Sequence, residues 1–169
     1  MYAFKNALKY KYLYWLLILF MAAEVFINPI GEFPLNDDWA YSRLVFNYIE
    51  KGVITSTGWE GSLFYPQMFL GIILSTIFGF SFSILRIAVV IISIIGLSLF
   101  FIFFNRLTRS VEISTIGSVL IVFNPIYLQY ANTFYPDVPY TIVTFLSFCF
   151  LLYFLSTGYS KDYLLGLFF

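Results

Sequence analysis

One stretch limits the fold more than any other. Between Ile84 and Phe104 the only charged residue is Arg86, and nearly everything else is Ile, Val, Leu or Phe. As a helix rising 1.5 Å per residue, this run is about 30 Å long, the thickness of the hydrocarbon core of a bilayer. Tyr12–Ile30, Ile113–Tyr130 and Pro139–Leu155 are comparable runs. With 61% hydrophobic residues, 22 phenylalanines and a mean hydropathy of +0.88, the chain holds more apolar surface than a soluble domain of this size can bury. These features predict an all-α integral membrane protein, a single membrane domain over residues 1–169 with four full spans at 12–30, 84–104, 113–130 and 139–155.

A fifth apolar stretch, Met68–Phe80, is shorter, follows Pro66-Gln67 and ends at Gly79. Its length suits an interfacial or re-entrant helix better than a span, and the distribution of basic residues agrees. With this segment uncrossed, Lys5, Lys9, Lys11, Arg106, Arg109 and Lys161 fall on one side, six against Arg43, Lys51 and Arg86 on the other. With it crossed, Arg86 alone joins the N-terminal lysines and five basic residues lie opposite. The positive-inside rule selects the first arrangement, a multi-pass plasma-membrane protein with a cytoplasmic N-terminus. Residues 31–83 then form an outer loop with juxtamembrane helices near 38–50 and 66–80. A cleaved signal is disfavoured, because the first apolar run is long and no small-residue cleavage site follows it. Residues 163–169 read as the start of a further, truncated span, and the chain as a fragment.

In the outer loop, Tyr41, Leu44, Val45, Tyr48 and Ile49 fall on one helical stripe, opposite Arg43, Asn47 and Glu50. Gly52 is placed to end that helix, and Trp39 and Trp59 suit a membrane interface.

The composition also excludes chemistry. Without histidine, the chain has no His-based triad, His-ligated zinc or imidazole acid–base catalyst. A net charge of zero gives no bulk attraction to nucleic acid. Cys149, the single cysteine, lies in an apolar run and reads as filler. Carboxylates are therefore the candidates. Asp37 and Asp38 follow Asn36 at the start of the loop helix, and Asp137 lies between Pro136 and Pro139 at the start of the last span. Each position also suits N-capping. In the selected topology all three lie outside, where they can converge to hold a divalent cation or to accept a proton. Glu24, inside the first span, is expected to face other helices or to sit near the outer end in a structural role.

In order along the chain stand Pro34-Leu35-Asn36-Asp37-Asp38-Trp39-Ala40-Tyr41, Gly79-Phe80-Ser81-Phe82-Ser83-Ile84-Leu85-Arg86, Phe123-Asn124-Pro125 and Phe134-Tyr135-Pro136-Asp137-Val138-Pro139. This ordered set, spanning about Phe33 to Leu155, resembles the membrane-embedded (GT-C type) glycosyltransferases that use lipid-phosphate sugars. Within these it is similar to the family 39-like proteins related to protein O-mannosyltransferases and aminoarabinose transferases. Two positions depart from the pattern: Asp38 stands where Glu is frequent, and Pro136 where Thr is expected. The later spans and the C-terminal domain of such enzymes are not in this sequence.

The resemblance implies a GT-C-like N-terminal helical module with an uncleaved first span and a short interfacial helix. It implies transfer of a sugar from a polyprenyl phosphate to a protein, lipid or glycan acceptor at the outer face. Asp37 matches the catalytic base, with Asp38 and Asp137 as its acidic companions. Such enzymes occur with and without a divalent cation (Mg or Mn), which Asp37 and Asp137 would hold. Arg86 and Arg43 are the outer candidates for the donor phosphate. The competing readings for these two are snorkelling at the membrane surface and solvation of a helix face. This fragment alone is expected to be inactive. The alternative is a non-catalytic membrane subunit or transporter fragment that binds lipid-linked sugar.

Overall fold

A computed structural model describes residues 2–61 and 65–157, with side chains described for 10–61 and 65–155. Every regular element among them is a helix: α1 (Tyr2–Ile27), α2 (Asp38–Lys51), α3 (Tyr65–Phe78), α4 (Phe82–Thr108), α5 (Val111–Val122), α6 (Pro125–Ala131) and α7 (Asp137–Thr157). The expected truncated span at 163–169 and the basic Lys161 lie outside the described residues.

Local chemistry sets most boundaries. The Asn28 N–H closes the last turn of α1 on Glu24, and Asn28 itself is left-handed (φ 54°), which turns the chain out of the helix. Gly52 (φ 71°) ends α2, as its sequence position predicts. Ser81 caps α4 by accepting from the Ile84 N–H, and Ser110 caps α5 from the Ile113 N–H. Asn124 caps α6 in the same way, with Pro125 in the first turn, where no N–H is needed.

Three helical segments are long and apolar enough to cross a membrane: Tyr10–Ile27, Phe82–Thr108 and Asp137–Leu155. They reproduce the expected spans at 12–30, 84–104 and 139–155 to within a few residues. The expected continuous span at 113–130 is corrected. The Asn124 cap and Pro125 break it, so α5 and α6 meet at 65° as a broken span or re-entrant loop. Counting that pair as one crossing gives four. α3 is a separate 14-residue apolar helix, about 21 Å long and too short to span straight across.

α4 is the hub and packs on α1, α3, α5, α6 and α7, while α2 lies on α3. Phe20, Leu85, Val89, Leu97, Phe100, Phe101 and Val122 are fully buried in this core. Outward, Ile87, Ile91 and Ile95 form an exposed apolar stripe on α4, and Val25, Phe26, Ile116 and Leu120 are also exposed. Such outward apolar surfaces are compatible with lipid tails as the surrounding solvent.

Candidate functional site

The first acidic loop is laid over the start of α4. Glu32 accepts from the Ser81 hydroxyl (2.6 Å) and from the Phe82 (3.0 Å) and Ser83 (3.3 Å) N–H groups. It thereby neutralises the positive end of that helix, and hydrogen bonding, led by the Ser81 and Ser83 hydroxyls, holds its carboxyl below the usual range. The Gly31 N–H donates to the Ser83 hydroxyl at 2.9 Å.

One turn further into α4, the Arg86 guanidinium turns inward. Its Nε donates to Asp38 Oδ2 at 3.0 Å, Nη1 to the Gly31 carbonyl at 3.1 Å, and Nη2 to the Phe33 carbonyl. The rings of Phe33 and Phe82 flank it, each about 5.6 Å from the guanidinium carbon. Asp38 Oδ1 takes the Leu35 N–H at 2.7 Å. Burial pushes the Asp38 carboxyl upward, against the Arg86 charge and the Leu35 and Phe134 N–H groups. Both side chains are sealed from solvent. The sequence suggests a surface or phosphate-facing Arg86; the structure places it in an internal clasp with Asp38. Arg43, in contrast, is exposed on α2 and lies over the Phe46 ring.

Asp37 precedes α2 and is exposed. It occupies the N-cap position, yet its carboxylate makes no capping bond. Capping, the bland account of this residue, therefore does not explain it. Its backbone N–H donates to the Tyr135 hydroxyl at 3.0 Å, across 98 residues of sequence. Burial and the adjacent Asp37 charge push the Tyr135 phenol up to about 12, so it stays neutral across the physiological range. The rings of Tyr41 and Tyr130 pack on Tyr135 with centroids 5.3 and 5.2 Å away. Asp137, two residues beyond Tyr135, is the exposed first residue of α7.

The two acidic loops therefore meet at one end of the helical assembly, with α2 and α3 beside them. A gap in the wall of α3 at Gly71 brings together Phe134, Val45 of α2 and Leu85 of α4. The sequence reading did not anticipate Tyr135, Tyr41 and Tyr130 as part of this junction; the position of Tyr135 within the second loop motif was the available signal. No group of three or more His, Cys, Asp or Glu gathers among the described residues. Mg²⁺ is ordinarily held by one or two carboxylates, with water and substrate phosphate completing its shell, so Asp37 and Asp137 would need those further ligands. The arrangement offers two exposed carboxylates at helix N-termini, a neutral phenol between the loops, and a rigid ionic clasp beneath them. No protein-family model, curated protein or solved structure matches this chain.

Proposed function

We propose that this chain forms the acidic-loop module of a membrane glycosyltransferase that takes a sugar from a polyprenyl phosphate at the outer face. The observation that supports the reading best is the contact of Asp37 with Tyr135. It joins the two loops that carry the motif resemblance and sets the exposed Asp37 carboxylate, which does not cap α2, beside the Tyr135 phenol.

In this proposal the acceptor O–H gives its proton to Asp37 while its oxygen bonds the anomeric carbon. The bond from that carbon to the phosphate oxygen breaks, the electron pair leaves with the polyprenyl phosphate, and configuration inverts. Beyond taking the proton, Asp37 orients the acceptor and stabilises positive charge at the sugar. Tyr135 orients the Asp37 backbone, Asp137 adds a second negative group, and Asp38 with Arg86 anchors the loop instead of reacting. Arg43, exposed on α2, remains the candidate for the donor phosphate.

The test is Asp37→Asn in the full-length protein with a lipid-phosphate sugar. Loss of transfer by about 10²–10⁴-fold, the range of a general base, with unchanged membrane insertion is the expected result. Normal turnover removes the assignment. A lipid-linked-sugar binder without activity is the outcome in which wild type and Asp37→Asn both bind donor and neither turns over.

A further inference from the structure

A second polar group lies inside the helices, apart from the acidic loops. Glu24, one turn from the end of α1, is 4% exposed, and both carboxylate oxygens lack a hydrogen-bond partner. Beside it stands the side chain of Asn132, at the end of α6. Asn132 is also 4% exposed; its Nδ2 donates to the Leu128 carbonyl, and its Oδ1 has no partner. Tyr127 of α6 is close enough to feel the Glu24 charge, is 8% exposed, and its hydroxyl is likewise without an aligned partner, with Ser93 of α4 next to it.

These are oxygen atoms with no positive partner. An isolated ionised carboxylate costs many kcal/mol to bury, and an unpaired amide or hydroxyl costs more on top. Among the described residues no cation is at hand to compensate. Arg86 is committed to Asp38, and Lys11, Arg43, Lys51, Arg106 and Arg109 are all exposed. Among the described titratable groups, Tyr127 is near enough to sense the Glu24 charge; Glu112 of α5 is exposed beyond the far end of α4. A divalent ion would leave excess positive charge beside one carboxylate, whereas one unit of positive charge balances the cluster.

We propose that Glu24, Asn132 and Tyr127 form a buried site for a single monovalent cation, a proton or a sodium ion. A proton on Glu24 removes the buried charge and supplies an O–H for a neighbouring oxygen, and Asn132 Oδ1 on the adjacent side chain lacks a partner. A sodium ion takes the same oxygens as ligands. In either form the occupant ties the end of α1 to the segment 132–137 that leads into the second acidic loop. This site does not depend on the proposed transferase activity.

The experiment is infrared spectroscopy of the protein, in lipid nanodiscs, carrying ¹³C-carboxyl glutamate. It is paired with thermal melting in sodium chloride and in choline chloride at equal ionic strength and neutral pH. Wild type is read directly, and Glu24→Gln assigns the bands. An acid carbonyl band in both salts, absent from Glu24→Gln, identifies the proton. Melting raised by sodium in wild type and not in Glu24→Gln identifies the sodium ion, whether or not an acid band is present in choline. If Glu24→Gln does not fold, Glu24→Asp takes its place, since the labelled glutamate is lost there too and a shorter side chain should weaken the sodium response. A wild type with only carboxylate bands and no sodium response overturns the proposal, as does a sodium response retained in full by a folded Glu24→Gln.

Discussion

Asp38 and Arg86 face each other at 3.0 Å with neither side chain reachable by solvent, and the loop 31–38 is folded around them. Removing one partner of a buried pair leaves the other charge stranded, at a cost of about 3–5 kcal/mol. Arg86→Gln and Asp38→Asn should therefore each lower the melting temperature in detergent strongly. The paired replacement Asp38→Leu with Arg86→Met should recover only part of the loss, because neither charge is then buried alone but the Leu35 N–H and the Gly31 and Phe33 carbonyls lose their partners. A melting temperature unchanged in either single variant would show that the clasp carries no stability. Arg86→Lys should recover little, since an ammonium cannot reach Asp38 and two carbonyls in one plane.

Much of this architecture was legible in the hydropathy, and its limits are instructive. The runs 12–30, 84–104 and 139–155 read as spans because length and apolarity suffice to define a membrane helix. The break at Asn124-Pro125 has a local cause, a cap followed by a first-turn proline, yet the apolar run continues across it. Hydropathy alone therefore merges α5 and α6. The Asp38–Arg86 pair was not legible, because 48 residues separate the partners and Arg86 sits near a helix end where snorkelling is the ordinary expectation. A stricter question would have pointed to it: which carboxylate accompanies an arginine inside an apolar helix? A charge within a span is costly, so Glu24 is expected to face other helices or to sit near the outer end in a structural role, and it is buried. Its company of Asn132 and Tyr127 depends on the bend that the pattern hid.

Glu60 gives the clearest pH response. Its carboxylate accepts from the Ser56 hydroxyl (2.7 Å) and from the Thr57 (2.8 Å) and Gly58 (3.0 Å) N–H groups. Burial alone would raise its pKa, but these bonds win and draw it from 4.5 down to about 2. A folded-state value below the unfolded one means the clip stabilises the loop above the unfolded value. That contribution falls away as pH drops from about 4.5 toward 2. Trp59 in this loop lies 6.3 Å from Trp39, so a Trp15→Phe background reports on it. Tryptophan emission should change over that acid window and Glu60→Gln should abolish the transition; an unchanged transition in Glu60→Gln would assign it to another group.

Gly71 tests how α3 is seated. A Cβ there would stand 2.8 Å from Phe134 Cζ, 2.9 Å from Val45 Cγ2 and 3.2 Å from Leu85 Cδ2. These belong to the second loop, α2 and α4, so one methyl group presses on all three neighbours. Gly71→Ala should cost about 1–3 kcal/mol, the usual range for overpacking, measured as a drop in melting temperature. Gly61→Ala, where a Cβ meets nothing within 4 Å, is the matched control. Equal stability of the two variants would place α3 away from the loop junction.

The same junction decides topology. Because the Asp37 N–H reaches the Tyr135 hydroxyl at 3.0 Å, the two acidic loops cannot be separated by about 30 Å of hydrocarbon. If α4 and the α5–α6 pair each cross, α3 must return to the side from which it started. In a Cys149→Ala background, Asp37→Cys and Asp137→Cys should both react with a membrane-impermeant maleimide added to sealed cells. Arg109→Cys, beyond the far end of α4, should react only after the membrane is opened. Labelling of positions 37 and 137 from opposite faces would require α3 to cross, and the shared acidic centre would be lost with it. Labelling of all three from the same face would mean that α4 does not span, and the broken α5–α6 pair would then be a re-entrant loop instead of a crossing.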